Sequence, residues 1–326
     1  LTTSTRFFAV AGPETTYGAS QELSNFKKIR VTGIGDPVNR NPSFEEAIDI
    51  SVATYAVGGP LAVNGTIDAL LRFNSFAPLF NSLLGATNAS GDYQLSDTPQ
   101  SYNFLIGDDQ ANTQVLYTGA GISSMELTLA VREFVRARMT WIARKPIILS
   151  ESSFVTPDWY TAPSNDPAAV YYNAVVKVGD TPIKAKNITL RIDRKFDTDY
   201  HFVGSPLLQG LYMNAQTELG GTMTLGGGEW TLLNQVLAGS ATGDQITTAM
   251  GDITTVGTDT KNELGSGSFE IDLFDLNGNK VGSIHAGTCV YSESNRTVTG
   301  RNQWDKSVNY RIVVPTIDAF YISPGA

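Results

Sequence analysis

The side chains most able to do chemistry here are two histidines and one cysteine: His201, His285 and Cys289. A cysteine–histidine pair beside a carboxylate could run nucleophilic catalysis. His285 and Cys289 stand four residues apart, which in an extended strand places them on one face but roughly 13 Å from each other. Cys289 also lies in an apolar stretch, Ala286-Gly287-Thr288-Cys289-Val290-Tyr291, the setting of a buried structural thiol. A lone cysteine supports neither an intrachain disulfide nor a multi-cysteine metal site. His201, in Asp199-Tyr200-His201-Phe202, reads as an ordinary strand or loop residue.

The remaining motifs fare no better. Asp275-Leu276-Asn277-Gly278-Asn279 looks like the start of a calcium loop, but its glycine is at the fourth place rather than the sixth and no glutamate stands at the twelfth. An Asn-Gly hairpin turn is the better reading. Gly226-Gly227-Gly228-Glu229 lacks the lysine and hydroxyl residue of a phosphate loop. Glu45-Glu46 and Glu270 with Asp272 are carboxylate pairs that glycoside hydrolysis could use, yet nothing separates them from solvated strand faces. The sequons at Asn64, Asn88, Asn187 and Asn295 are about as many as chance supplies. The expectation is a chain that is not an enzyme, with no catalytic residue, no metal and no cofactor.

Composition supports that direction. A net charge of −9 over 326 residues argues against a nucleic-acid grip, which needs clustered Lys and Arg. No apolar run reaches the ~18 residues that span a bilayer, and Leu1 to Val10 lacks the features of a secretory signal, so no membrane partner is expected. Hydrophobic residues make up 41%, enough for a substantial core.

The elements that position these residues read mostly as strands. Met125, Leu127, Leu129 and Val131 alternate with Glu126, Thr128 and Ala130. After a turn near Arg132-Glu133, Val135, Ala137, Met139, Trp141 and Ala143 alternate with Arg136, Arg138, Thr140, Ile142 and Arg144, predicting a hairpin of two long strands. A second hairpin runs from Ser268 to Ile284 around the Asn-Gly turn, with Phe269, Ile271 and Leu273 facing away from Glu270 and Asp272. Further strands are expected at 188–193 and 310–314, closed by Pro315.

Two short helices interrupt the pattern. Phe76, Leu79, Phe80, Leu83 and Leu84 fall on one helical face, with Asn74 or Ser75 as cap, Pro78 in the first turn and Gly85 as stop. Trp230, Leu233, Val236 and Leu237 form the apolar side of a second, from about Glu229 to Ala238. Gly65-Thr66-Ile67 precedes the first helix and Gly221-Thr222-Met223 the second, which suggests a tandem duplication. The expected division is an N-terminal arm at 1–33, a first repeat at 34–150, a connecting segment at 151–186 and a second repeat at 187–326.

The opening Arg6-Phe7-Phe8-Ala9-Val10-Ala11-Gly12-Pro13-Glu14-Thr15-Thr16-Tyr17-Gly18 resembles the start common among tail tube proteins of long-tailed viruses. The order that follows is also similar to that family. It has a Gly-Thr-Ile segment before an amphipathic helix, a strand ending Tyr117-Thr118-Gly119, then Ile122-Ser123-Ser124-Met125-Glu126 entering a long hairpin. Tyr171 to Gly179 and Ile188 to Lys195 match the family's style between halves. The stretch from Ser292 to Asp305 departs from it.

The resemblance implies a mostly β fold: tandem β-sandwich or barrel repeats, each with one short helix, whose long strands join those of neighbours around a lumen. It implies a structural subunit of a viral tail tube, made in the host cytoplasm and built into the virion as stacked rings that conduct the genome. Its implied partners are itself (a trimer of tandem repeats favoured over a hexamer), the tape-measure protein and viral DNA within the lumen, and tail-tip and tail-completion proteins. The family's lumen is acidic, so that DNA passes without sticking. Glu270 and Asp272, and by repeat analogy Glu126 and Thr128, are candidates to line it, or else lie on a solvent-exposed outer face. Arg132, Arg136, Arg138 and Arg144 are expected at ring contacts. The rival reading is a carbohydrate-binding β-sandwich module presenting Trp159, Tyr160, Tyr171 and Tyr172.

Overall fold

The computed structural model describes residues 7–19, 26–35, 38–40, 43–44, 56–108, 113–149, 166–179, 181–226, 266–297, 305–314, 316 and 319–325. The first half of the chain contains β1 (Phe7–Pro13), β2 (Lys27–Ile29), β3 (Gly33–Gly35), β4 (Val38–Arg40), β5 (Ser43–Phe44), β6 (Ala56–Val57) and β7 (Leu61–Leu70). There follow α1 (Phe73–Leu84), β8 (Gly85–Thr87), β9 (Tyr93–Leu95), β10 (Tyr102–Asp108), β11 (Thr113–Ala130), β12 (Arg136–Ala143) and β13 (Lys145–Leu149). The second half contains β14 (Val170–Val178), β15 (Thr181–Ile183), β16 (Ala185–Asp193), β17 (Glu218–Leu225), β18 (Ser266–Phe274), β19 (Lys280–Thr297), β20 (Asp305–Ile312) and β21 (Phe320–Pro324). The fold is mostly β, as the alternation predicts.

The same order of antiparallel pairing occurs twice. In the first half β1 pairs with β2 and β10, β10 with β11, β11 with β12 and β13, and β12 with β7, whose far edge carries β3 and β4. In the second half β14 pairs with β15 and β18, β18 with β19, β19 with β20 and β21, and β20 with β17, whose far edge carries β16. The segments 1–33 and 151–186, expected as an arm and a connector, thus contribute β1–β2 and β14–β15 in matching positions. Among the described residues two ladders between named strands join the halves, β11 with β16 and β9 with β21.

The two long strands, each of 18 residues, serve two layers at once. Residues 114–118 of β11 lie between β10 and β13, and residues 124–128 lie between β12 and β16. A strand can change layers only by bending. In β11 the bend falls at Gly119, whose φ of 63° lies in the left-handed region, and at a bulge between Ile122 and Ser124. β19 carries its bulge between Tyr291 and Glu293 at the corresponding place. The strand expected to end at Gly119 therefore runs on through it, because the bend keeps the ladder going.

Inward alternation builds one core. Met125, Leu127 and Leu129 of β11, Ala137, Met139 and Trp141 of β12, and Ile188, Leu190 and Ile192 of β16 are all buried. Ile142 breaks the polar alternation of its face, and it is covered by Phe196, Leu208 and Leu211 of the 194–217 loop. The resemblance between Gly65-Thr66-Ile67 and Gly221-Thr222-Met223 has a packing cause. Gly65 pairs with Trp141, and a Cβ there would meet that ring at 2.4 Å; Gly221 pairs with Tyr310, and a Cβ there would meet its hydroxyl at 2.9 Å. Each glycine lets a large aromatic cross its strand.

α1 packs the predicted face, with Phe76, Leu79, Phe80, Leu83 and Leu84 fully buried. Their burial contributes on the order of 8–15 kcal/mol as an upper bound. Gly85, at φ 93°, closes the helix as expected, its N–H donating to the Asn81 carbonyl. The start differs from expectation. Arg72 is the N-cap residue and makes no side-chain cap bond, while Asn74 and Ser75 lie inside the helix. The capping carboxylate comes from Asp166, whose Oδ1 accepts the Asn74 N–H at 3.3 Å while its backbone carbonyl accepts from the Arg72 guanidinium. Pro78 consequently sits in the second turn, where its ring cannot donate to the Asn74 carbonyl. The second expected helix, with Trp230, Leu233, Val236 and Leu237, lies outside the described residues, as do Glu45, Glu46, Trp159 and Tyr160.

Candidate assembly surface

One layer, called the inner layer for its place in the assembly proposed below, runs in the order β3/β4, β7, β12, β11, β16, β17, β20, β19. One face of it makes the core. The other is polar across its breadth, because every strand contributes its alternate residues to it. Along one cross-strand row stand Asp68, Arg138, Glu126, Arg191, Gly220 and Arg311. Beside it runs a row of Arg136, Thr128, Thr189, Thr222 and Asn309. Opposite charges on adjacent strands sit about 5 Å apart, so they largely neutralise one another. The Arg138 guanidinium lies 3.7 Å from the Asp68 carboxylate, both more than half exposed, and the Thr189 and Thr222 hydroxyls meet at 2.9 Å.

The sequence candidates divide between places. Glu126 and Thr128 lie on this face, and Arg138 and Arg136 face them as direct cross-strand partners. Arg136 also pairs with Glu133 at 3.3 Å. Arg132 lies in the exposed β11–β12 turn with φ 69°. Arg144 is engaged within its own half, over the Tyr17 ring at 5.8 Å and against Gly18 and Gly119.

Glu270 and Asp272 are not brought to the polar face. They lie on β18, on the side away from buried Phe269, Ile271 and Leu273, and they hold lysines. Lys177 Nζ reaches Glu270 at 3.2 Å and Asp272 at 2.9 Å, and Lys280 reaches the other Asp272 oxygen at 2.5 Å. Asp68, Arg191, Arg311, Thr189 and Thr222 were missed by sequence reading. The alternation Ile188-Thr189-Leu190-Arg191-Ile192 could have found two of them, but only the ladder shows which strands lie side by side.

The opening motif has a local task. Glu14 Oε1 accepts the Gly119 N–H at 2.6 Å and Oε2 accepts the Gly18 N–H at 2.9 Å. Burial raises the Glu14 pKa, outweighing the hydrogen bonds from Gly119, Ser101 and Gly18 and the nearby Arg144. The carboxylate thereby clamps the N-terminal turn onto the bend of β11. No catalytic pair forms from His285 and Cys289. A bulge between Gly267 and Phe269 shifts the register of β19 between them, so Cys289 is buried with its thiol pushed up to about 12 by burial, while His285 stacks on Tyr321 at 4.8 Å. Asp275 closes the hairpin rather than a calcium loop: its Oδ1 accepts the Asn277 and Asn279 N–H groups, each at 2.8 Å. Among the described residues no cluster of three or more His, Cys, Asp or Glu could hold a metal.

The polar face ends in two open edges. Residues 291–297 of β19 pair with β20 on one side, and β3 and β4 pair with β7 on one side; among the described residues nothing pairs their other sides. The corresponding stretch of β11, residues 124–128, is paired on both sides because β16 lies against it. Tyr171 and Tyr172, the described members of the alternative aromatic cluster, are successive residues of β14, and the Tyr171 hydroxyl donates to the Ala185 carbonyl at 2.5 Å. No described helix is long and apolar enough to cross a membrane. A family model described as phage tail tube protein matches residues 5–288. No curated protein sequence matches the chain.

Proposed function

The chain belongs to the phage tail tube protein family, which places it in the virion tail as a structural subunit, and from that premise we propose how it builds a tube. Copies join side by side into a closed ring, rings stack, and the polar face of the inner layer becomes the wall of the channel that conducts the genome. The carrying observation is the junction inside one chain. There the edge of β11 is paired antiparallel with β16, Ser124 opposite Asp193 through Ala130 opposite Asn187. Among the described residues the matching edge of β19 is open, and the strands that match β16, namely β3 and β4, are open at the far flank. Pairing β19 of one copy with β3 and β4 of the next repeats the internal junction and removes both exposed edges.

The repeated order of pairing supports reading the chain as two quasi-equivalent units. Three chains then supply six units, so a trimer is favoured over a hexamer, closing a barrel of about twenty-four strands. Glu126, Thr128, Asp68, Arg138 and Arg191 would line its channel. Their alternation of sign replaces the uniformly acidic wall as the means of letting DNA slide. Asp68 beside Arg138, Glu133 beside Arg136 and Asp193 beside Arg191 cancel within less than a Debye length of about 8 Å, which works against a continuous phosphate track.

Electron microscopy of the purified protein at high concentration tests this. Rings or tubes with threefold symmetry and six similar lobes are expected. Sixfold rings of six chains would replace the trimer. A chain that stays monomeric at every concentration would end the proposal.

A further inference from the structure

Ile148 of β13 is 82% exposed, and its counterpart shows what it lacks. It stands opposite Val115 of β11. In the second half Ile322 of β21 stands opposite Ile284 of β19. Counted back from the bulges at Ser123 and Ser292, Val115 and Ile284 hold the same place in their strands, so Ile148 and Ile322 correspond. Yet Ile322 is fully buried.

A strand makes the difference. β9 pairs with β21, Tyr93 opposite Ile322, and brings the Phe80 ring of α1 within 5.4 Å of the Tyr93 ring. β9 and α1 belong to the first half and β21 to the second, so this contact crosses the same junction as β11 with β16. Among the described residues β13 pairs with β11 alone. In the place that β9 takes beside β21, no strand stands beside β13 among the described residues. Ile147 and Leu149 meanwhile pack on the other side, against the cluster of Phe8, Val10, Phe26, Leu105 and Leu116. The strand is therefore apolar on both faces, and only Lys145 and Pro146 at its beginning guard the edge.

We propose that Ile148 and the open edge of β13 form a second lateral docking site, taken by the second half of a neighbouring copy in the outer layer of the tube wall. It rests on the side-by-side joining proposed above, but it is a separate contact from the β19 edge. The flank that offers β3 and β4 also offers β13, just as the second half offers both β16 and β21 to the first. One neighbour would therefore cover both. Among the described residues the edge is open in a separated chain, and a docked neighbour would seal it.

The test uses the chain's single native cysteine to advantage. Cys289 is buried, with its thiol pushed up to about 12, so it stays silent towards thiol reagents at neutral pH. In an Ile148→Cys variant the introduced thiol is expected to react freely in separated chains and about tenfold or more slowly in assembled tubes. Ile148→Asp is expected to keep the circular dichroism and melting of the wild-type monomer while weakening assembly roughly tenfold to a hundredfold, the worth of one isoleucine's burial. Ile148→Val should assemble normally. Equal labelling in tubes and in separated chains, or wild-type assembly by Ile148→Asp, would overturn the β13 site and leave the ring intact. A wild-type chain that never forms rings would instead overturn the ring itself, before any variant is made.

Discussion

Asp272 holds Lys280 and Lys177 at once, on separate oxygens. Burial alone would raise its pKa, but the contacts with Lys280 and then Lys177 outweigh it and hold the carboxyl below its ordinary value. A carboxyl depressed in the folded state contributes stability that is present above its unfolded pKa of about 3.9 and lost as pH falls through the depressed one. Asp272→Asn is expected to cost about 1–2 kcal/mol at neutral pH, the low end because Lys280 is half exposed. It should also flatten the acid limb of stability measured by urea unfolding across a pH series. An unchanged acid limb would mean that the pair of lysines is held by something else. The residue scale also decides Gly221. A Cβ there would fall 1.9 Å from the Thr189 carbonyl oxygen, so Gly221→Ala should lower stability by about 1–3 kcal/mol or more in thermal unfolding.

At the scale of elements, α1 separates what a local pattern announces from what distance hides. Its apolar face was legible because spacing in a helix is a property of neighbours, and all five predicted residues are buried. Leu83→Asp should therefore cost at least about 3 kcal/mol and abolish the cooperative melt or lower its midpoint sharply. Its cap was not legible, because Asp166 stands 92 residues from Asn74. Asp166→Ala is expected to cost about 1 kcal/mol, read as a small fall in the unfolding midpoint. The long strands follow the same rule. Alternation announced the hairpins and their faces, yet nothing in the run of β11 or β19 announced a bulge, since a bulge arises where the partner strand has one residue fewer.

On the scale of the molecule, the chain repeats one order of pairing and, among the described residues, leaves the ends of that series unpaired. A state in which copies join binds the folded chain and not the unfolded one, so the melting midpoint should rise with protein concentration. Differential scanning calorimetry over a concentration series checks this, and a midpoint independent of concentration would speak against lateral joining. Salt should matter little to the joined state, because backbone pairing rather than charge carries the proposed junction. Which strand faces the candidate residues share could be read from the sequence, but not which layer holds them. Glu126 and Thr128 stand on the polar face, while Glu270 and Asp272, candidates for the lining or else for a solvent-exposed outer face, stand on β18.

From the residues alone came the periods: which side chains share a strand face, which share a helix face, and that strands dominate. A period depends only on the geometry of a few consecutive residues, so each segment carries it. The tertiary structure decided which strands lie side by side, which carboxylate caps α1, and which charges face each other across the inner layer. Those choices are made between segments far apart in the chain, where layer changes at bends and bulges set the partners. No local pattern records that outcome.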